Sequence, residues 1–419
     1  MAVDFRWSKS LGEFEIDWAR KGDEWVQRIH KYFADVRGCA GFGLRRGGDI
    51  GEFIELRVGA GEGQLDTRLL ILPKTESVVN LWICGTGEAE AELDVTVWTA
   101  AVSEALEGLR EPHKVHEWTA IIGTLPSKMG DRVVKMGDPC DIAEIRFSST
   151  ERIFREPWRV NASLSSWKIY DSVPILVRGR SSGYDWQHVQ KDAAENLNRL
   201  VGLLSVAWGF FVDVREAAAP LELGERYAPD VSPWMSESMH GESRSVSTVD
   251  VLEVPDWING AWQRLKRQKR LDAAIGMYME GVRVQDEHDS LALVSFVAVV
   301  EAISLSLFHE QRCPGCKGHL NIGAKFRETL KLVLSPDEAE ELNRVYSSRS
   351  KTVHTGRLYG GESSPGAFAF SFFEKSTEIE FSHQMVQRMK NVARNLLQMA
   401  LRGDLPGKSH YEAAPAAAS

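Results

Sequence analysis

Leu342-Asn343-Arg344-Val345-Tyr346-Ser347-Ser348-Arg349-Ser350-Lys351-Thr352-Val353-His354-Thr355-Gly356 is the stretch whose reading decides the C-terminal part of the chain. Leu342, Val345, Tyr346 and Val353 recur at helical spacing, which predicts one apolar helix face. Arg349 and His354 stand on the same segment, and five steps of roughly 100° set them about 140° apart on an ideal helix. They would flank a groove rather than stack. Gly356 is a stop signal just past them. The spacing alone is not specific, because Arg283–His288, Arg110–His116 and Arg312–His319 show similar intervals. Context separates Arg349–His354 from these.

Working outward from the motif, Leu271, Ile275 and Met279 mark one helix face, and Gln285-Asp286-Glu287-His288-Asp289 reads as an acidic turn. A long apolar helix follows, Leu291 to Ile303, carrying Glu301-Ala302 near its end. A last amphipathic helix is expected over about Ser382 to Leu401. This order of parts, from Trp262 to Leu401, resembles the HEPN family of all-α nucleotide-binding and RNase domains. The family often shows a helix with an embedded Glu-Ala pair, and its arginine-x4-6-histidine motif is matched by Arg349 to His354. Ser350 takes the place next to the arginine that often holds Asn, Asp or His in active members.

The resemblance implies metal-independent RNA cleavage. A base would take the proton of a ribose 2′-hydroxyl, and the alkoxide would attack the adjacent phosphorus. A neutral imidazole suits the first task, since its ordinary pKa lies near physiological pH. A guanidinium suits the second, since it donates two hydrogen bonds to the phosphoryl oxygens and stays charged throughout. His354 and Arg349 are the expected catalytic pair, with Lys351, Tyr346 and Ser350 as substrate contacts; the alternative expectation is structural, with Glu301 as the partner of Arg349 inside the bundle and His354 capping a helix end. In HEPN ribonucleases two motif copies face each other across a homodimer axis, so RNA and a second copy are the expected partners. Such architectures resemble abortive-infection and toxin-like antiviral defence proteins. The other expectation is a non-catalytic HEPN module that binds RNA, a nucleotide or a protein.

Composition sets the frame. A chain of 419 residues, 43% hydrophobic and 26% charged, fits two or three globular domains. Its net charge of −9 argues against a nonspecific nucleic-acid coat. Residues 261–400 hold 19 Lys and Arg against 16 Asp and Glu, an excess of +3 that leaves −12 for the remainder. A local anion site is therefore expected late in the chain. Five cysteines, most of them scattered, fit a reducing cytoplasm. The first ten residues do not read as a targeting signal. The apolar run Leu291 to Phe308 is interrupted by Ser295, Glu301, Ser304 and Ser306, and reads as the centre of a bundle rather than a membrane span.

The fold class expected is α+β: a strand-rich domain over 1–215, a linker over 216–260, a HEPN-type bundle over 261–402 and a frayed tail over 403–419. Phe53 to Val58, Leu69 to Leu72, Val78 to Cys84 and Pro174 to Gly179 read as strands. Leu93 to Trp98 alternates with period two and is expected to be another strand. Trp186 to Trp208 has the apolar stripe of a helix. Arg264-Leu265-Lys266-Arg267-Gln268-Lys269-Arg270 carries five positive charges in seven residues, a solvated helix face or a contact for RNA phosphates.

Cys313-Pro314-Gly315-Cys316 with His319 has the edge of a zinc knuckle but falls short of an established four-ligand spacing. Structural zinc is one expectation there, a redox pair a second and a plain turn the third. No metal is required for the expected cleavage. His113, His116 and Glu117 beside Pro112 read as a surface loop. No nucleophile elbow, phosphate-cradling Gly-rich loop or His-Glu-x-x-His helix is present.

Overall fold

The computed structural model of the chain describes residues 6–37, 42–47, 53–58, 67–85, 92–124, 133–150, 154–159, 167–221, 249–285, 288–309, 321–344 and 377–408. Strands dominate early and helices late, so the fold is mixed α and β. The chain divides into two compact units, Met1–Lys114 with Ser182–His188, and Val115–Ser181 with Val189–Ser419. The expected single break near residue 215 therefore falls inside the second unit. A second sheet shares that unit with the late helices.

The first unit is built on a five-stranded antiparallel sheet, ordered β1 (Trp7–Glu15), β5 (Val78–Gly85), β4 (Thr67–Thr75), β3 (Phe53–Val58), β2 (Phe42–Gly47). Leu56, Leu69, Ile71, Leu81 and Ile83 alternate along these strands and turn one face inward. Two helices cover it, α1 (Trp18–Arg37) and α2 (Glu92–Gly108). Trp25, Ile29 and Phe33 recur every four residues on α1, and the Phe33 ring meets Trp98 of α2 edge-on at 4.6 Å.

Here one sequence expectation is corrected. Leu93 to Trp98 is helical, not a strand. Six residues of alternation are too short a window. Over the longer stretch Val97, Trp98, Ala101, Val102 and Ala105 form the stripe of a helix buried on the sheet. Burying such side chains contributes about 1.5–3 kcal/mol each, far more than the strand preference of single valines. The buried indole is also satisfied: Trp98 Nε1 donates to Thr67 Oγ1 at 3.0 Å, and that hydroxyl donates to Asp94 at 2.9 Å.

In the second unit a five-stranded sheet runs in the order β13 (Val212–Pro220), β6 (Lys114–Thr124), β12 (Ile175–Gly183), β9 (Ile145–Ser149), β8 (Cys140–Ile142). A hairpin of β10 (Phe154–Arg159) and β11 (Trp167–Ser172) and a parallel pair of β7 (Val133–Met136) with β14 (Val249–Leu252) complete the strands. The expected linker over 216–260 is thus ordered at both ends: β13 reaches Pro220, and β14 precedes a helix that begins at Ile258. Residues 222–248 lie outside the described residues.

The helices are α3 (Trp186–Trp208), α4 (Ile258–Arg267), α5 (Lys269–Val284), α6 (Asp289–Leu307), α7 (Ile322–Leu330), α8 (residues 336–344) and α9 (Thr377–Arg402). Among the described residues α6 is long and apolar enough to cross a membrane by length and composition, but 61% of that window is buried inside the protein. It packs on α5, α7 and α9. Gly281 lets α5 approach closely, because a Cβ there would stand 2.6 Å from the Phe296 ring of α6. Ser304 and Thr329 join α6 to α7 through a buried 2.7 Å hydroxyl pair.

Two helix ends are closed by the same device. Gly209, at φ +83°, follows α3, and Arg394 of α9 donates to the carbonyls of Val206 at 2.8 Å and Ala207 at 2.5 Å. Gly403, at φ +86°, follows α9, and Arg264 of α4 donates to the carbonyl of Leu401. Left-handed glycines and cations both satisfy the orphan carbonyls of a helix end. The C-terminal residues just past α9 are therefore a cap, since Gly403 and Asp404 both donate to Met399 O. Residues 409–419 lie outside the described residues.

The basic run is also used inward. A break at Gln268 divides it between α4 and α5. Arg264 caps α9, Lys266 stands over the Trp262 ring at 5.6 Å, and Arg270 donates to Leu305 O at 3.2 Å. That leaves Arg267 and Lys269 as the freer charges of the run.

Tyr278 of α5 is fully buried, and its hydroxyl has no hydrogen-bond partner among the described residues. Burial raises the pKa of this phenol, with Arg394 pulling weakly the other way. Tyr278→Phe is expected to leave the unfolding midpoint unchanged or to raise it, by up to ~1 kcal/mol, since it removes an unsatisfied polar atom. Chemical denaturation measures this, and a loss beyond that size would mean the hydroxyl is bonded.

Candidate functional site

The helix that leads into the arginine–histidine motif is positioned with care. Ser335 starts α8 with a reciprocal cap: its backbone N–H donates to Glu338 Oε2 at 3.0 Å and its hydroxyl donates to the same oxygen at 2.7 Å. Pro336 fills the first helical position, where no N–H is needed. The Ser335 bonds hold the Glu338 carboxyl below the usual carboxylate range. A lowered pKa means that the cap is fully present at neutral pH and is lost only as pH falls through that depressed value.

Ala339 and Leu342 form the buried face of α8. Glu340 pairs with Arg327 of α7 at 3.4 Å and Glu341 with Arg388 of α9 at 3.0 Å. Exposed ion pairs at Glu340 and Glu341 thus tie α8 to two neighbouring helices. The motif itself, with Tyr346, Arg349, Ser350, Lys351 and His354, lies outside the described residues, as do Cys313, Cys316 and His319. Glu301 is described: it sits half-buried on α6, one turn before Ser304. Its expected pairing with Arg349 involves a residue outside that range.

A second cluster joins residues far apart in sequence, all in the first unit. Glu24 on α1 is 5% exposed, and its two oxygens are divided. Oε1 accepts from Arg28 Nε at 2.9 Å, and Oε2 lies 2.9 Å from His113 Nε2. The His113 ring meets His188 edge-on at 5.3 Å, and His188 lies 5.2 Å from Tyr184. Arg28 covers the Tyr184 ring at 4.9 Å. Burial, followed by the charges of Asp185 and Glu24, raises the pKa of the Tyr184 phenol, with Arg28 opposing.

Chemically this is an imidazole oriented by a carboxylate, an arrangement fit for holding or passing a proton. His113 lies in an exposed loop as expected, with Glu24 as its partner, whereas His116 and Glu117, expected in the same loop, lie on β6, where the run from Lys114 pairs into the sheet. Glu24, Tyr184 and His188 carried no sequence signal, since Glu24 is 89 residues from His113 and the seven strands β6 to β12 separate His113 from Tyr184 and His188. Among the described residues no group of three or more His, Cys, Asp and Glu is placed to hold a metal.

Comparison with family models, with curated proteins and with solved structures finds no significant match for this chain. The assignment of its function rests on its own residues.

Proposed function

We propose that the protein is a metal-independent endoribonuclease of HEPN type, acting as a homodimer. The supporting observation is the placement of α8. Its capped start, buried face and two ion pairs make a fixed platform, from which the chain enters the segment bearing Arg349 and His354. The helices around it follow the order the resemblance implies, with the apolar α6 central and α9 last.

In this reading His354 takes the proton of the ribose 2′-hydroxyl. The resulting alkoxide forms a bond to the adjacent phosphorus, and the bond from phosphorus to the 5′-oxygen breaks. The leaving oxygen gains a proton from the partner subunit's His354 or from water. Arg349 donates to the non-bridging oxygens, which gather negative charge as the five-coordinate state forms. Lys351, Tyr346 and Ser350 contact phosphate and sugar.

The test uses the full-length protein, an unstructured RNA and a chelator. Products are expected to end in a 2′,3′-cyclic phosphate and a 5′-hydroxyl, at a rate the chelator does not change. Products ending in a 3′-hydroxyl, or activity restored only by added magnesium, would overturn the reading.

A further inference from the structure

The exposed face of the second sheet carries an arrangement that the ribonuclease reading does not use. Arg146 of β9 and Arg178 of β12 are directly opposite one another in the antiparallel register, and both point to solvent. Arg180 follows two residues on, on the same face. Like charges directly opposed across strands destabilise a sheet. A negative charge held between them would relieve that cost.

The counter-charges present do not quench this one. Arg180 is engaged, donating twice to Glu117 Oε1 at 2.9 and 2.7 Å. Arg146 lies 3.6 Å from Asp141, too far for a good hydrogen bond, and both side chains are about two-thirds exposed. Neither Arg146 nor Arg178 makes a side-chain hydrogen bond among the described residues. The three arginines line a cavity of about 310 Å³, large enough for an anion with an attached organic group. Its frame is stiff: the Trp118 ring lies so close to Gly179, between the two β12 arginines, that a Cβ there would stand 2.1 Å away. Trp118 is itself fixed by a 3.0 Å bond from Nε1 to Ser181.

We infer that Arg146 and Arg178 clamp a phosphodiester monoanion in this cavity. Two guanidiniums facing each other can each present a pair of N–H donors to the non-bridging oxygens. The choice of a diester follows from the carboxylates that share the rim, Glu117, Asp141 and Glu144. They repel the two charges of a phosphomonoester more strongly than the single charge of a diester. This inference does not depend on the catalytic assignment of His354. The diester group can come from a nucleic-acid strand or from a cyclic mononucleotide.

Calorimetric titration of the full-length protein distinguishes these sources. The probes are a single-stranded oligothymidylate of four residues, which lacks the 2′-hydroxyl and so is not cut by the proposed chemistry, a 3′,5′-cyclic mononucleotide, and a 5′-mononucleotide as the monoester. At least one diester is expected to bind, and more tightly than the monoester. Binding of the oligomer alone assigns the site to a strand, and binding of the cyclic compound alone assigns it to a small ligand. Arg146→Gln and Arg178→Gln are each expected to weaken binding by roughly tenfold or more. Arg178→Lys should fail to restore it, because the charge returns without the fork. Both glutamine variants should melt at or above the parent temperature, since each relieves a like-charge pair. Failure of both diesters to bind, equal or tighter binding of the monoester, or full affinity in the glutamine variants would overturn the inference.

Discussion

His354→Ala is expected to lower RNA cleavage by roughly 10²–10⁴-fold, the range for losing a general base, with the fold unchanged. The imidazole is the only group proposed to take the 2′-hydroxyl proton, and alanine leaves that proton to water. Arg349→Ala is expected to cost roughly 10²–10³-fold, the scale for removing one preorganised donor to a developing oxyanion. Arg349→Lys should recover little, because a point charge does not reproduce two parallel hydrogen bonds. Added imidazole should restore part of the activity of His354→Ala and none of that of Arg349→Ala, which separates loss of a base from loss of structure. Mixing the two inactive variants tests the composite dimer: partial activity is expected if one protomer's Arg349 serves its partner's motif. Cleavage that survives both single substitutions removes the assigned pair from the mechanism.

Gly209→Ala is expected to be strongly destabilising for a change of one methyl group. Gly209 holds φ at +83°, and an L-residue there costs about 1–2 kcal/mol for the backbone alone. The added Cβ would also stand 2.7 Å from the Arg394 guanidinium. Moving that group disturbs two charge-assisted hydrogen bonds to the last carbonyls of α3. Losing one such bond, worth about 1.5–3 kcal/mol, on top of the backbone cost makes the expected loss on the order of 3–4 kcal/mol in a denaturant titration. A double-mutant cycle isolates the cause. In an Arg394→Ala background the cost of Gly209→Ala should fall to the backbone part, about 1–2 kcal/mol. Equal costs in both backgrounds would mean that Arg394 does not oppose the Cβ.

These cases mark where sequence reading succeeds and where it stops. Trp186–Trp208 and Asp289–Leu307 are legible because a helix writes its own period into one continuous segment. The strands Phe53–Val58 and Val78–Gly85 are legible for the same reason, with turn residues at their ends. Leu93 to Trp98 misleads because six residues fit two periods, and the choice between them is made by what the face packs against. The arginine–histidine motif is visible as a spacing.

The sequence alone therefore determined the local periodicities and the mixed class, and Arg349 and His354 enter as a proposal made on it. Only the tertiary structure decided the partners. It placed Glu24 against His113, Arg394 over the end of α3, Arg264 over the end of α9, and Arg146 opposite Arg178. Periodicity is a property of neighbours in the chain, whereas a hydrogen bond or a cross-strand pair depends on which distant segments are brought within about 3–5 Å, and no local pattern encodes that choice.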